Sequence, residues 1–289
     1  MEVVDDLSDC PRPPGGTVVT IGAYDGVHIG HQRLIAQVRS MAADRGCASA
    51  VVTFDRHPAL VVRPTSAPKL LTDLETKLQL LAATGLDYAV VIHFDEARSK
   101  EPADDFVRTV LVGCLAARVV VVGHDFHFGH NREGNVAFLE QVGPSLGFEV
   151  SGVELFGAGG DAVSSTRIRS ALQLGDVELA AELLGRPHLL RGEMVAPREM
   201  LVPEVAALPA PGAYAGWWTR GVVRDPAFIS VGATGEPLHV ETLEDDPAGD
   251  GRGAATEGAA TEGAATEATV ELVARAHDAA AARQALGRA

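Results

Sequence analysis

Two histidines, His28 and His31, stand three residues apart in the string GAYDGVHIGHQ, Gly22 to Gln32. Its three glycines, Gly22, Gly26 and Gly30, let backbone approach a ligand closely. The amphipathic stretch from Ile29 onward predicts a helix, whose first turn offers unpaired N–H groups and a positive dipole end. Residues at this spacing share one side of the turn, so both imidazoles can meet the same anion. A helix N-terminus disfavours imidazolium, so the empty site favours neutral rings, and a bound polyphosphate reverses that preference. Such a pair suits stabilisation of a phosphoryl transition state and its leaving pyrophosphate better than nucleophilic attack. The spacing matches neither Walker A nor GxGxxG. The bland alternative is a pair of surface or capping histidines. A metal pair would need third and fourth ligands, which do not stand at zinc-like spacing, so no metal-ligating residue is expected.

The elements that must position this string alternate regularly. Strands are predicted at Thr17–Ile21, Ala50–Phe54, Tyr88–Phe94, Arg118–Val122 and Phe148–Leu155, several of them apolar on successive residues. Helices are predicted at Ile29–Arg45, Asp73–Thr84, Ala103–Leu115 and Gly134–Leu146. The second of these follows a capping-box spacing, Thr72 to Glu75, and stops at Gly85. The pattern implies an α/β fold with a doubly wound, Rossmann-like parallel sheet, whose ligands sit at the carboxyl ends of the strands.

Composition narrows the rest. At 289 residues and 46% hydrophobic content the chain buries ample core and is not globally disordered. No apolar run approaches the roughly 20 residues that span a bilayer, and the acidic start MEVVDDLSDC is unlike a signal peptide. Cys10, Cys47 and Cys114 are scattered, with no disulfide framework expected, which fits a cytoplasmic location. The net charge of −15 argues against a broad nucleic-acid surface, though not against a basic nucleotide pocket. Nothing in the sequence sets an oligomeric state. About half of the charge lies in residues 241–267, where GAATE repeats three times from Gly253 to Glu267. A unit of Gly, Ala, Thr and Glu has no large side chain to bury, so 246–268 reads as a flexible tether. An Ala- and Arg-rich helix is expected over 269–289.

Four strings in order carry a family resemblance. GAYDGVHIGHQ resembles the adenylyltransferase module of bacterial FAD synthetase within the nucleotidyltransferase superfamily. The segment VTFDRHP (Val52 to Pro58) is similar to the family's TFDPHP, with Arg56 replacing a proline. VGHDFHFG (Val122 to Gly129) is similar to VGxDFxFG, and SSTRIR (Ser164 to Arg169) resembles SSTxIR. The resemblance covers roughly residues 15–190 and implies transfer of AMP from Mg-ATP to FMN, giving FAD and pyrophosphate. It implies His28, His31 and Arg169 as the catalytic groups and Mg²⁺ as cofactor. On the ATP side it points to Gly22, Asp25, Gly30, Asp125, Ser165, Thr166 and Arg167. Ser165 and Thr166 also have a plain N-capping reading, and Asp125 a turn-forming one. Phe54, Pro58, Phe126 and Phe128 are candidate apolar walls for the isoalloxazine of FMN.

A boundary is expected at Leu184-Gly185-Arg186-Pro187, separating an adenylyltransferase domain (15–186) from a small β domain (187–245). Leu190-Arg191-Gly192 and LPAPGAYA (Leu208 to Ala215) resemble a riboflavin kinase barrel. Its GFPTAN pattern, whose Thr and Asn hold Mg-ATP, is absent: Val195 and Leu208 enclose only APREMLVPEVAA. The expectation is a degenerate barrel without riboflavin phosphorylation. The alternatives are a bifunctional enzyme with residual kinase activity, an enzyme acting on another phosphate-bearing acceptor such as a pantetheine or nicotinate nucleotide, and a flavin- or nucleotide-binding regulator without catalysis.

Overall fold

The computed structural model describes residues 1–153, 163–243 and 267–288, and parts into two units, Met1–Ser165 and Thr166–Ala289. The tether expected at 246–268 lies outside the described residues, apart from its last two.

The first unit runs β1 (Glu2–Val4), β2 (Thr17–Ile21), α1 (Ile29–Arg45), β3 (Ala48–Phe54), α2 (Ala59–Val62), α3 (Leu74–Ala83) and β4 (Tyr88–Ile92). There follow α4 (Glu96–Ser99), α5 (Ala103–Phe106), a π-helical stretch (Val107–Cys114) and β5 (Ala117–Gly123). A short pair, β6 (His127–Phe128) and β7 (Gly134–Asn135), then α6 (Val136–Leu146) and β8 (Glu149–Val153) complete it. Six strands form one parallel sheet in the order β1-β4-β3-β2-β5-β8. Alternate residues serve opposite faces. Val19, Val52 and Val120 join Leu111 and Leu139 in one core, whereas Val18, Val51 and Val119 pack with Ile35, Val38 and Leu81 in the other. Each such buried side chain contributes about 1.5–3 kcal/mol of transfer free energy. That two-sided demand is why the strand runs are apolar on successive residues.

The chain leaves β2 toward β3 on one side and meets β5 on the other. This is the switch point of a doubly wound sheet, where a crevice opens beyond the carboxyl ends. The expected α/β class is therefore the observed one, and β1, too short to carry a pattern, adds an edge strand beside β4.

Three local expectations are corrected. Cys10 and Cys114, 104 residues apart, are joined by a disulfide, with only Cys47 free. The link depends on sheet topology bringing the end of the π-helical stretch to the N-terminal segment, which spacing alone does not encode. The cap of α3 is Asp73, whose carboxylate accepts from Thr76 N at 2.7 Å; Thr72 faces the β2–α1 loop instead. Finally, Gly134 and Asn135 form β7, and the Asn135 side chain caps α6 by accepting from Phe138 N.

The second unit contains α7 (Ser165–Leu174, entering from the last residue of the first), α8 (Val177–Leu184), β9 (His188–Ala196), β10 (Glu199–Leu201), β11 (Gly212–Arg220), β12 (Val223–Val231), β13 (Leu238–Thr242), β14 (Glu267–Arg275) and α9 (Ala279–Leu286). Its strands close an antiparallel barrel in the order β10-β13-β12-β11-β14-β9, with β9 returning to β10. Trp218, Ile229, Val240 and Met200 are buried in it. The helix expected over 269–289 is thus confined to α9. Ala268, Val270 and Leu272 alternate as buried residues of β14, a period of two that the Ala and Arg content disguised. The boundary also falls earlier than 186. Leu172 O of α7 accepts from Ala210 N, and Glu178 of α8 accepts from Arg275 N, so both helices belong with the barrel.

Candidate active site

β2 ends at Ile21, and the chain turns through Gly22, Tyr24, Asp25 and Gly26 before α1 begins. The turn is strained. Tyr24 and Val27 have φ of +50° and +39°, a region costly for residues with a Cβ and most of all for β-branched valine. The surroundings hold it there. The Tyr24 ring is fully buried and its hydroxyl shares a 2.7 Å hydrogen bond with Thr20 Oγ1. Burial pushes the Tyr24 phenol well above its ordinary value, against the lowering effect of that bond. Gly26 N donates to Thr72 Oγ1, and the Asp25 carboxylate accepts from Leu71 N and Thr72 N.

His28 is the N-cap of α1, with its Nδ1 accepting from His31 N at 3.3 Å. An accepting Nδ1 places the proton of the neutral ring on Nε2. The His31 ring stacks on it, with centroids 3.6 Å apart and planes 13° apart. The Tyr24 ring lies against His31 at 4.8 Å. His31 Nδ1 is buried with no hydrogen-bond partner among the described residues. Burial, and after it the nearby His28, holds the His31 imidazole well below its ordinary pKa of 6.5. Gly30 makes this packing possible, because a Cβ there would sit 3.2 Å from the His28 ring.

The other expected residues are distributed as follows. Gly22 directly follows β2, and a Cβ there would meet the Tyr24 ring at 3.1 Å. Asp25 is buried and its carboxylate is engaged within the chain. Ser165, the last residue of the first unit, donates its hydroxyl to Asp25 O at 2.9 Å. Thr166, Arg167 and Arg169 follow on α7, in the second unit. Asp125 is exposed just beyond β5, and its carbonyl faces His127 Nδ1 at 2.8 Å. Phe54, half-buried at the end of β3, meets Phe94 edge-on at 5.3 Å, and Pro58 precedes α2. Phe126 and Phe128 stack at 5.4 Å, but Phe128 is also packed between Phe106 and Phe138 as part of the core.

Sequence reasoning missed two charged groups at this edge. Lys77 of α3 is buried, and its Nζ donates to Phe54 O at 2.6 Å and Ala23 O at 3.4 Å. Burial pulls its pKa down to about 8, against the attraction of Asp25 and Asp55. Asp55 accepts from Phe94 N, Arg56 and His93, and these bonds hold its carboxyl below the usual range although burial alone would raise it. No group of three or more His, Cys, Asp or Glu among the described residues is arranged to hold a metal ion.

The sequence model of FAD synthetase matches residues 10–167. The chain belongs to the FAD synthetase family. The bifunctional riboflavin kinase/FMN adenylyltransferase of Escherichia coli (strain K12) is 35% identical to this FAD synthetase relative over 192 residues, 66% of this chain and 61% of that protein. That of Pseudomonas fluorescens is 36% identical over 195 residues, 68% of this chain and 62% of that protein. The matches therefore span less than two thirds of either relative. A crystal structure described as a macrolide-efflux protein from Streptococcus pneumoniae aligns with a TM-score of 0.76, covering 96% of this chain and 90% of that one at 22% identity. At that identity the likeness concerns the fold of the FAD synthetase relative and nothing of its chemistry. No helix among the described residues is long and apolar enough to cross a membrane.

Proposed function

We propose that this chain is an FMN adenylyltransferase: the FMN phosphate attacks the α-phosphorus of ATP in line, forming FAD and releasing pyrophosphate. The observation that carries this reading is the stacked His28–His31 pair at the head of α1, at the switch point of the sheet. A helix N-terminus favours anions, and the Nε2–H of His28 is fixed as a donor by its own capping bond. The attacking phosphate has a second pKa of about 6 and is largely ionised at neutral pH, so the step needs no protein base. What remains is alignment and neutralisation of developing charge. His28 and His31 supply donors toward the phosphate chain, and binding of that chain favours protonation of the stacked pair.

Arg169 is the cationic partner in this reading, with Ser165, Thr166, Arg167 and Asp125 on the ATP side; these roles rest on the family resemblance. Gly22 and Gly30 act through space, by admitting the rings. Asp25 acts by holding the loop through Leu71 and Thr72. Phe54, Pro58 and Phe126 form the flavin side, with Phe128 backing them from the core. Mg²⁺ fits as an ion carried by the ATP phosphates, since magnesium takes one or two protein carboxylates at most in such sites.

The barrel is proposed to lack riboflavin kinase activity. The support is the sequence between Val195 and Leu208, which offers no Thr–Asn pair for a nucleotide. The test is a product assay in which FMN and riboflavin are each supplied with Mg-ATP. FAD from FMN alone is the expected result. No FAD from FMN overturns the transferase reading, and FMN from riboflavin overturns the loss of the kinase.

A further inference from the structure

Lys77 is a buried cation that the proposed chemistry does not use. The paired strands β2 and β3 end their ladder at Ile21 and Val52, where Gly22 N still donates to Val52 O. One residue further on each side the cross-links come from side chains. Thr53 Oγ1 donates to Ala23 O at 3.3 Å, and Lys77 Nζ reaches both Ala23 O and Phe54 O from a third element, α3. We propose that Lys77 is a positioning residue for adenylyl transfer, its ammonium setting the separation between the loop that carries His28 and the Phe54 end of β3. This rests on the functional reading above, in which those two segments hold the phosphate and flavin sides.

The geometry favours positioning over direct contact. Nζ is covered, and the cavity beside it is only about 30 Å³, room for a water molecule and not for a nucleotide. The charges around it are Asp25 on the β2 side and Asp55 on the β3 side, with Arg56 and His57 lining the same cavity. One ammonium donates to both carbonyl oxygens, to Phe54 O at the shorter distance and to Ala23 O beside the Thr53 hydroxyl. A lysine kept buried despite its desolvation is an expensive way to fill space that a methionine could fill. What methionine cannot do is hold Ala23 and Phe54 at a common distance.

The experiment compares wild type, Lys77→Met and Lys77→Arg as full chains, with FMN and Mg-ATP varied separately. A displacement of reacting groups by tenths of an ångström to one ångström lowers kcat, so Lys77→Met should lose about tenfold or more in kcat per folded molecule. Both KM values should stay within about threefold, because substrate contacts are not removed. Lys77→Arg, which keeps the cation, should recover part of the loss. A folded Lys77→Met with kcat within about threefold of wild type overturns the proposal. So does loss of the fold in both variants, which would make Lys77 structural. If wild type makes no FAD, the functional reading fails on its own account. The positioning claim is then read from the ring proton resonances of His28 and His31, which should shift between wild type and Lys77→Met. Unchanged resonances sink it.

Discussion

The imidazoles of His28 and His31 stack with 3.6 Å between centroids, so a second proton on the pair would place two cations in contact. In the free protein burial, and after it the nearby His28, disfavours a proton on His31. A polyphosphate brought to the head of α1 supplies the countercharge that changes this balance.

Replacing His28 by asparagine separates its two tasks. Asparagine is a good N-cap and can accept from His31 N, whereas it lacks a ring to place before a phosphate. His28→Asn should keep its melting temperature while losing about 10²-fold or more in kcat, the usual cost of a lost transition-state donor. His28→Ala should lose the same activity and also about 1 kcal/mol of stability with the cap. Thermal unfolding and steady-state FAD formation measured together check both. Equal turnover in His28→Asn and wild type would remove the imidazole from the mechanism.

Gly30→Ala offers the opposite test. Alanine is favoured over glycine inside a helix by about 1 kcal/mol. Its Cβ at 3.2 Å from the His28 ring, however, would force that ring to shift by a few tenths of an ångström against its partner. The expected outcome is stability unchanged or raised, with kcat reduced; a fully active variant would show that the stacked geometry is dispensable.

The pH dependence of His31 has a definite sign. Its folded value lies below 6.5, so at lower pH the unfolded chain takes up a proton that the folded chain refuses. The stabilisation is complete above about pH 6.5 and is lost as pH falls toward the folded value. Histidine NMR should find His31 still neutral at about pH 6 in the free protein and titrating higher once pyrophosphate is added. His31→Phe should flatten the loss of stability on the acid side.

Lys77 works at the other end of the scale. Its ordinary value of 10.5 falls to about 8 in the fold, so its burial penalty is full below pH 8 and is relieved as pH rises toward 10.5. The stability of wild type relative to Lys77→Met should therefore grow across that window, by up to about 3 kcal/mol. Urea denaturation at several pH values measures the gap. A wild-type stability that falls relative to Lys77→Met across that window would contradict the burial of the charged amine.

How far the sequence disclosed these features depends on the range of the interactions behind them. The central strands were legible because a sheet covered on both faces demands runs such as Val119 to Val122, whatever their neighbours. His28 and His31 were legible because their strand, glycines and helix lie within one short stretch. Lys77 was not, since on α3 alone it reads as one more solvated lysine; only the parallel pairing of β2 with β3 brings Ala23 and Phe54 to it. The resemblance points to Asp25 on the ATP side, whereas its hydrogen bonds from Leu71 N and Thr72 N, some 46 residues along the chain, are set by the fold and not by any local pattern. β14 was hidden differently: helix-forming residues occupy a strand because the barrel needs Ala268, Val270 and Leu272 inside. Cys10 and Cys114 meet only through the whole topology of the sheet.

The place of β14 in the barrel has a consequence for biosynthesis. It fills the slot between β9 and β11, so during translation those two strands wait with open edges until the ribosome has released residues up to Arg275. A chain cut anywhere before Glu267 would keep that seam permanently unstitched, and clumping through the bare edges, more than loss of the parallel sheet, would be its signature.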